Sequence, residues 1–297
     1  MGIKLYLVPK PVHLDAPRDE PRKRQRFQSQ ASYSGLSEQA LITTSLLATQ
    51  KAVSSFDSNP DIDRRLRELE QSHTPPTGAG ISRFYVAQTT SNNPTEDDHA
   101  EAVLPVPSGY WSFFAIFDGH VGWETSAWLR DNLIPAVTGA LADLYSNFHK
   151  ESGLSQTSVP LPQDIEITFK NTFKSIDHDL VRSALDRFLS DPSRAKSMNA
   201  LAPAWAGSCA LVSFYDSHSK LLHTAITGDS RAVLGRRVLD DNGKTFYTVH
   251  LLSIEQDGKN PAEVARLLAE HPRENVVQQD RVLEIAVSCA FSDGRWK

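Results

Sequence analysis

Trp111-Ser112-Phe113-Phe114-Ala115-Ile116-Phe117-Asp118-Gly119-His120 is the stretch on which the reading of this chain turns. From Trp111 to Phe117 it is aromatic and apolar, as a buried strand is, and it ends abruptly in an acid, a glycine and a histidine. A carboxylate at a strand end, with a backbone carbonyl beside it, offers the oxygen ligands that hard divalent cations take. An imidazole next to such a site is suited to moving a proton near neutral pH. Upstream, Ser91-Asn92-Asn93-Pro94-Thr95-Glu96-Asp97-Asp98-His99 supplies a second acidic turn. Together they point to metal-assisted chemistry. Asp118 by itself could be a helix N-cap, a role aspartate favours, but the buried strand before it and Gly119-His120 after it weigh toward a metal.

Beyond His120 the period changes. Trp123, Ala127, Leu129, Leu133, Val137, Leu141, Leu144 and Phe148 recur mostly at helical intervals, which predicts a long helix and places Val121-Gly122 at the strand-to-helix junction. A Ser/Pro-rich loop over 150–163 separates it from a second amphipathic helix over Ile165–Leu189. A β-rich block follows. Ser208–Tyr215 reads as a strand, Asp216–Lys220 as a turn and Leu221–Thr227 as the returning partner, with further strands at Ala232–Gly235 and Tyr247–Leu252. Pro261–His271 is a helix opened by proline and followed by Pro272.

Toward the N-terminus, Ile81–Ala87 has strand character and His73–Gly80 the composition of a linker. Ala40–Val53 and Asp61–Gln71 read as short helices, and the first 35 residues as a polar, proline-punctuated tail. The expected division is an N-terminal extension over residues 1–60 and a folded domain over 61–297. Cys209, inside a strand, reads as a small buried hydrophobe, and Arg231 as part of a turn with an internal salt bridge.

Thirty-one Lys and Arg against 36 Asp and Glu leave a formal charge of −5, so there is no electrostatic argument for nucleic acid. No apolar run approaches the length of a membrane span. The two cysteines, Cys209 and Cys289, do not make a disulfide framework. Gly2 stands at the myristoylation position, but Tyr6 occupies the place of the required Ser or Thr. Arg22, Lys23, Arg24 and Arg26 are basic, yet Asp19 and Glu20 precede them, a poor match to a mitochondrial presequence.

The order of motifs is distinctive: Glu96-Asp97, then strand-Asp118-Gly119-His120-helix, then Gly228-Asp229-Ser230-Arg231-Ala232 after a hairpin, then Ala290-Phe291-Ser292-Asp293-Gly294. In this order the chain resembles the metal-dependent (PPM, or type 2C) protein serine/threonine phosphatases. Asn92–His99 and Gly207-Ser208-Cys209-Ala210-Leu211 resemble the fungal mitochondrial branch related to pyruvate dehydrogenase phosphatase. The resemblance implies an α+β fold, an α-β-β-α sandwich of two mostly antiparallel sheets flanked by helices. It implies a phosphoprotein substrate and hydrolysis of phosphoserine or phosphothreonine by a metal-activated water. Carried over by position, Asp97 and Asp118 would ligate two Mg²⁺ or Mn²⁺ ions, Gly119 would offer its carbonyl, Glu96 would hold a metal-bound water, His120 would protonate the leaving oxygen, and Asp229 would serve a third ion. The branch implies a mitochondrial location, with the cytoplasm as the alternative.

The family pattern continues past the segment at Asp293 and supplies further aspartates to the same metals, whereas the sequence given ends at Lys297. The expectation is therefore an incomplete sandwich with weak metal binding. Two functions stay open: a phosphatase, or a non-catalytic pseudophosphatase or binding protein on the same scaffold. Glu284 and Ser292 stand where the family has glycine, which predicts backbone strain there, and Cys289 stands where it has arginine.

Overall fold

The computed structural model describes residues 6–7, 12–13, 64, 67–89, 93–152, 158–190, 201–241 and 243–297. The helix expected at Ala40–Val53 and almost all of the expected extension lie outside the described residues. The chain divides into two units: Met1–Asp15 with Pro75–Ser82 and Thr90–Lys297, and Ala16–Thr74 with Arg83–Thr89.

The strands, in chain order, are β1 (Tyr6–Leu7), β2 (Val12–His13), β3 (Glu70–His73), β4 (Phe84–Ala87), β5 (Asp98–Val106), β6 (Gly109–Phe117) and β7 (Gly119–His120). After the helical part of the chain come β8 (Gly207–Ser208), β9 (Ala210–Asp216), β10 (Leu221–Thr227), β11 (Val233–Leu239), β12 (Thr245–Leu251), β13 (Val277–Gln278), β14 (Arg281–Val282) and β15 (Phe291–Ser292). The six-stranded sheet runs β1-β10-β9-β6-β5, with β2 also on β10, and every pair in it is antiparallel.

Alternation along β6 and β9 sends one row of side chains to the helical layer. Trp111, Phe113, Ala115 and Phe117 are buried beside Ala210, Val212 and Phe214. Phe113 and Phe214 are register partners and stack with centroids 4.9 Å apart. Helix α1 (Glu124–Ser152) covers this face with Leu129, Leu133, Val137 and Leu141, as periodicity predicts, and then with Tyr145 where Leu144 was expected; Leu144 is only partly buried and Trp123 is exposed. Helix α2 (Pro162–His178) adds Ile165, Phe169, Phe173 and Ile176. A π-turn (Asp179–Ser183) places Leu180 in the same core before helix α3 (Ala184–Ser190). The second helix was expected to run unbroken from Ile165 to Leu189, and the π-turn is invisible to a 3.6-residue period because it adds only one residue.

The strand expected over Ser208–Tyr215 is broken at Cys209. Gly207 and Ser208 leave the six-stranded sheet and pair with His120 and Gly119 on one side and with Ser292 and Phe291 on the other, forming a three-stranded antiparallel sheet β15-β8-β7. The α+β architecture of antiparallel sheets with helices is thus present, and β6–β7 and β8–β9 each pass from one sheet into the other. In the second unit, Glu70 and Gln71 are strand and not helix. They pair with Ala87 and Val86 in a hairpin whose return strand starts at Phe84, later than the expected Ile81. Backbone pairing overrides the charged segment's weak helical preference. Helix α4 (Pro261–Glu270) matches expectation and is capped by Asn260, whose side chain accepts from Ala262 N at 3.0 Å.

The strain expected at Glu284 and Ser292 is present. Their φ values are +77° and +62°, in the left-handed region that glycine tolerates best. Ser292 is fully buried, and its hydroxyl is one of the buried polar groups with no hydrogen-bond partner among the described residues. Ser292→Gly relieves both and should raise the free energy of unfolding by about 1–2 kcal/mol after glycine's own entropic loss. Urea denaturation of the variant checks this, and a lower midpoint would count against it.

His223 offers a second test of the core. It is buried and stacks on Phe214 at 5.8 Å. Burial pushes its pKa down to about 4, with the Asp216 carboxylate working weakly the other way. An unfolded histidine takes its proton near pH 6.5. The unfolded state therefore binds more protons between these values, and stability should fall as pH drops from about 6.5 to 4, by on the order of 3 kcal/mol. His223→Gln should flatten that part of a pH series of urea melts, and an unchanged slope would remove His223 as the cause.

Candidate metal centre

The site forms where the two strands change sheets. At that point Cys209 N donates to the Asp118 carbonyl at 2.8 Å, fixing the end of β6 to the start of β9. Asp229 arrives from the turn after β10. Gly228, at φ +107°, makes that turn, and buried Gln256 holds it from both sides: its side-chain oxygen accepts from Gly228 N at 3.0 Å and its own N–H donates to Gly228 O at 2.9 Å. One oxygen of Asp118, one of Asp229 and the sulfur of Cys209 lie within 4.8 Å of one another. They share an open pocket of about 230 Å³ with His120, Arg281 and Glu284.

The acidic turn before β5 lies close by. Gly119 packs so tightly against the Glu96 carbonyl that a Cβ there would overlap it, and Ser126 Oγ donates to the same carbonyl. Glu96 is half-buried and Asp97 exposed. Neither belongs to the mutual cluster of ligand atoms, although the Asp97 charge reaches Asp118. Asp98 is engaged away from the cluster, where Oδ2 accepts from Arg130 Nη1 at 2.7 Å and Oδ1 from His99 N at 2.9 Å.

The electrostatics are those of a crowded acidic site. Partial burial, then the charges of Asp229 and Asp97, raise the Asp118 pKa from its usual value, with His120 working the other way. Burial, then Asp229 and Asp118, push the Cys209 thiol well up. A cation relieves this repulsion, and oxygen donors from Asp118 and Asp229 are the kind that Mg²⁺ and Mn²⁺ accept, so the donor set fits such an ion.

His120 has a partner that the sequence did not single out. Its Nε2 lies 3.0 Å and 3.1 Å from the two oxygens of Asp293, which is fully buried. Burial of the ring disfavours the charged imidazolium, but the hydrogen bond and charge of Asp293, followed by Asp118 and Glu96, outweigh it and hold the His120 pKa above its usual value. Gly207 lines this pair closely enough that a Cβ would strike both Asp293 Oδ1 and His120 Nε2. The clue to Asp293 was its syntax, since Phe291-Ser292-Asp293-Gly294 ends an apolar stretch in Asp-Gly, as Ile116-Phe117-Asp118-Gly119 does.

Two other sequence expectations change. Cys209 is buried among Val287 and Ala290, as expected of a small hydrophobe, but its sulfur also faces Asp229 Oδ1 at 3.6 Å. Arg231 does not close a salt bridge inside its own turn; Nε donates to Glu255 Oε1 at 2.6 Å.

The family model described as "Protein phosphatase 2C" matches residues 89–297. A protein phosphatase 2C homolog of Schizosaccharomyces pombe is 37% identical over 239 residues, which is 80% of this chain and 52% of that protein. The mitochondrial [pyruvate dehydrogenase [acetyl-transferring]]-phosphatase 1 of Saccharomyces cerevisiae is 34% identical over 311 residues, 100% of this chain and 49% of that protein. The crystal structure of a Toxoplasma gondii serine-threonine phosphatase 2C aligns with a TM-score of 0.44 at 21% identity, over 68% of this chain and 64% of that one. The chain spans about half the length of the curated relatives it matches. With the motif order and the acidic corner behind it, the match over residues 89–297 means that this chain belongs to the protein phosphatase 2C family.

Proposed function

We propose that this chain is a metal-dependent protein serine/threonine phosphatase, acting on phosphoserine or phosphothreonine of a protein substrate. The observation that carries the reading is the His120–Asp293 pair beside a pocket that His120 lines together with Asp118 and Asp229. Mg²⁺ or Mn²⁺ would be held by Asp118 and Asp229, with Asp97, the Gly119 carbonyl and Glu96 contributing from the adjoining turns. A bound cation supplies Lewis-acid stabilisation of the charge that builds on the phosphoryl oxygens.

The chain's own residues account for the proton. Departure of a serine or threonine alkoxide is slow unless its oxygen is protonated as the bond to phosphorus breaks. His120, whose charged form Asp293 favours, is the donor that lines the pocket. Because Asp293 binds both ways to Nε2, the ring is also held in one orientation. Arg281, whose Nη1 donates to the Glu284 carbonyl at 3.0 Å, lines the same pocket and adds a cation to it. The acid–imidazole pair beside Asp118 and Asp229 supports catalysis over a purely scaffolding role.

By likeness to relatives named as mitochondrial pyruvate dehydrogenase phosphatases, the mitochondrion is the proposed compartment, and phosphorylated pyruvate dehydrogenase is the first substrate to assay. No helix among the described residues is long and apolar enough to cross a membrane.

The test compares leaving groups. With Mn²⁺ present, His120→Ala should slow hydrolysis of a phosphoserine peptide by about 10²–10⁴-fold. It should slow p-nitrophenyl phosphate far less, because that phenolate leaves without a proton. Equal losses on both substrates would take His120 out of the proton-donor role, and no Mn²⁺-stimulated hydrolysis by the unaltered chain would sink the proposal itself.

A pH profile supplies a second check. The donor works only when protonated, so the peptide rate should fall as pH rises through the elevated pKa of His120. Asp293→Asn removes the charge that elevates it and should move that falling limb to lower pH. Gly207→Ala, which wedges the pair apart, should do the same. A limb that stays in place in both variants would show that another group controls it.

A further inference from the structure

We propose that Cys209 is itself a metal ligand, so that the Asp118–Cys209–Asp229 corner takes thiophilic divalent ions, Zn²⁺ foremost, in addition to the hard cations of the proposed reaction. The inference rests on that reading insofar as Asp118 and Asp229 hold a cation.

Three features of the structure build the thiol into the corner. Its sulfur is within 4.8 Å of both carboxylates. Its backbone is fixed to Asp118 by the 2.8 Å hydrogen bond at the sheet crossover, so the two ligand-bearing residues cannot drift apart. And Gly228 stands against it: a Cβ at that position would overlap both Cys209 Sγ and Cys209 Cβ. With φ at +107° and Gln256 clamping its backbone, Gly228 leaves the space that the sulfur fills.

The surroundings give the thiol a direction. Val287 and Ala290 pack against it on the apolar side. On the other side are Asp229 Oδ1 at 3.6 Å and the pocket. Cys209 is 1% exposed and is one of the residues lining the pocket.

The chemistry of the donor set then decides the ion. Two carboxylates suit Mg²⁺ or Mn²⁺, but a sulfur donor shifts preference toward softer ions, and Mg²⁺ gains nothing from it. Three protein ligands with a further position open to the pocket is the arrangement zinc uses when it keeps a site for water or substrate. Binding exchanges the thiol proton for a metal–sulfur bond, and the proton leaves to solvent; no electron moves. Zn²⁺ would therefore compete with Mg²⁺ or Mn²⁺ for Asp118 and Asp229.

The decisive experiment uses the full chain and two probes. X-ray absorption of the Zn²⁺-loaded protein should show a sulfur neighbour at about 2.3 Å. Co²⁺ titration should give a near-ultraviolet sulfur-to-metal absorption band. In Cys209→Ser that band should vanish, and Co²⁺ and Zn²⁺ affinity should drop by on the order of 100-fold, since losing a direct ligand does at least as much as disturbing an outer one. Mn²⁺ affinity should change little. Cys289→Ser, which alters the other buried cysteine, should keep the band.

Zinc with only oxygen or nitrogen neighbours would overturn the inference, as would a band that survives Cys209→Ser or is lost in Cys289→Ser. The absorption measurement needs no variant, so a Cys209→Ser protein that failed to fold would not shield the idea. If Mn²⁺ binds but zinc finds no sulfur, only this inference fails. If no divalent ion binds at all, the proposed function fails with it.

Discussion

The hydrogen bond from Cys209 N to the Asp118 carbonyl is the constraint on which the site depends. It lies where both strands turn out of the six-stranded sheet into the three-stranded one. Ile116 still pairs with Leu211 in the first sheet, and Gly119 already pairs with Ser208 in the second. Strands that change sheets do so through local bends, which re-aim side chains. A straight strand would keep Asp118 in plain alternation with Phe117. The bend instead gathers Asp118, Cys209 and, through the turn at Gly228, Asp229. The aromatic core behind β6 and β9 supports this arrangement, since Phe113, Phe117 and Phe214 anchor the strands just before they diverge.

Charge explains why the surrounding residues are what they are. Asp229 and Asp97 make Asp118 harder to ionise, and Asp293 adds a fully buried carboxyl behind His120. A buried carboxylate needs a charged or hydrogen-bonded partner. His120 meets that need for Asp293 within the chain, and a divalent cation would offset the mutual repulsion of exposed Asp118 and half-buried Asp229. The two compensations are of different kinds. The first lies within the chain and favours the protonated imidazole; the second would be exchangeable. His120, Asp118 and Asp229 line one opening of about 230 Å³, so the two compensations stand side by side.

Much of this was legible in the residues. The β6 strand, the helix stripe from Leu129 to Leu141, the β9–β10 hairpin and the helix at Pro261 follow from period and turn chemistry, because each is decided by neighbours along the chain. The crossover at Cys209 was not, because a period of two reports which face a residue takes and not which sheet it belongs to. The pairing of His120 with Asp293 joins residues far apart in sequence, and no local pattern encodes it. Arg231 illustrates the same limit: its turn suggested a local partner, and the fold supplied Glu255 instead. The left-handed backbone at Glu284 and Ser292 could be anticipated only by comparison with a family that places glycine there.

The segment Phe291–Gly294 shows how stability yields to the site. Ser292 and Asp293 both adopt positive φ, at +62° and +55°, which L-residues resist. Such backbone persists only where surrounding contacts over-determine it. Here they do. Ser292 N donates to Asp177 Oδ1 at 2.8 Å, Asp293 N to Ala206 O at 3.2 Å and Gly294 N to Ala204 O at 2.8 Å, so successive N–H groups are all engaged. The consequence of bending the chain this way is that the Asp293 carboxyl turns inward to His120 while Phe291 remains in the core against Phe173. A relaxed, extended backbone through Ser292 and Asp293 would carry one of these two side chains away from its place. The strain is therefore the geometric condition for having a buried acid behind the imidazole, and glycine at Ser292 would satisfy that condition at lower energy without moving the acid.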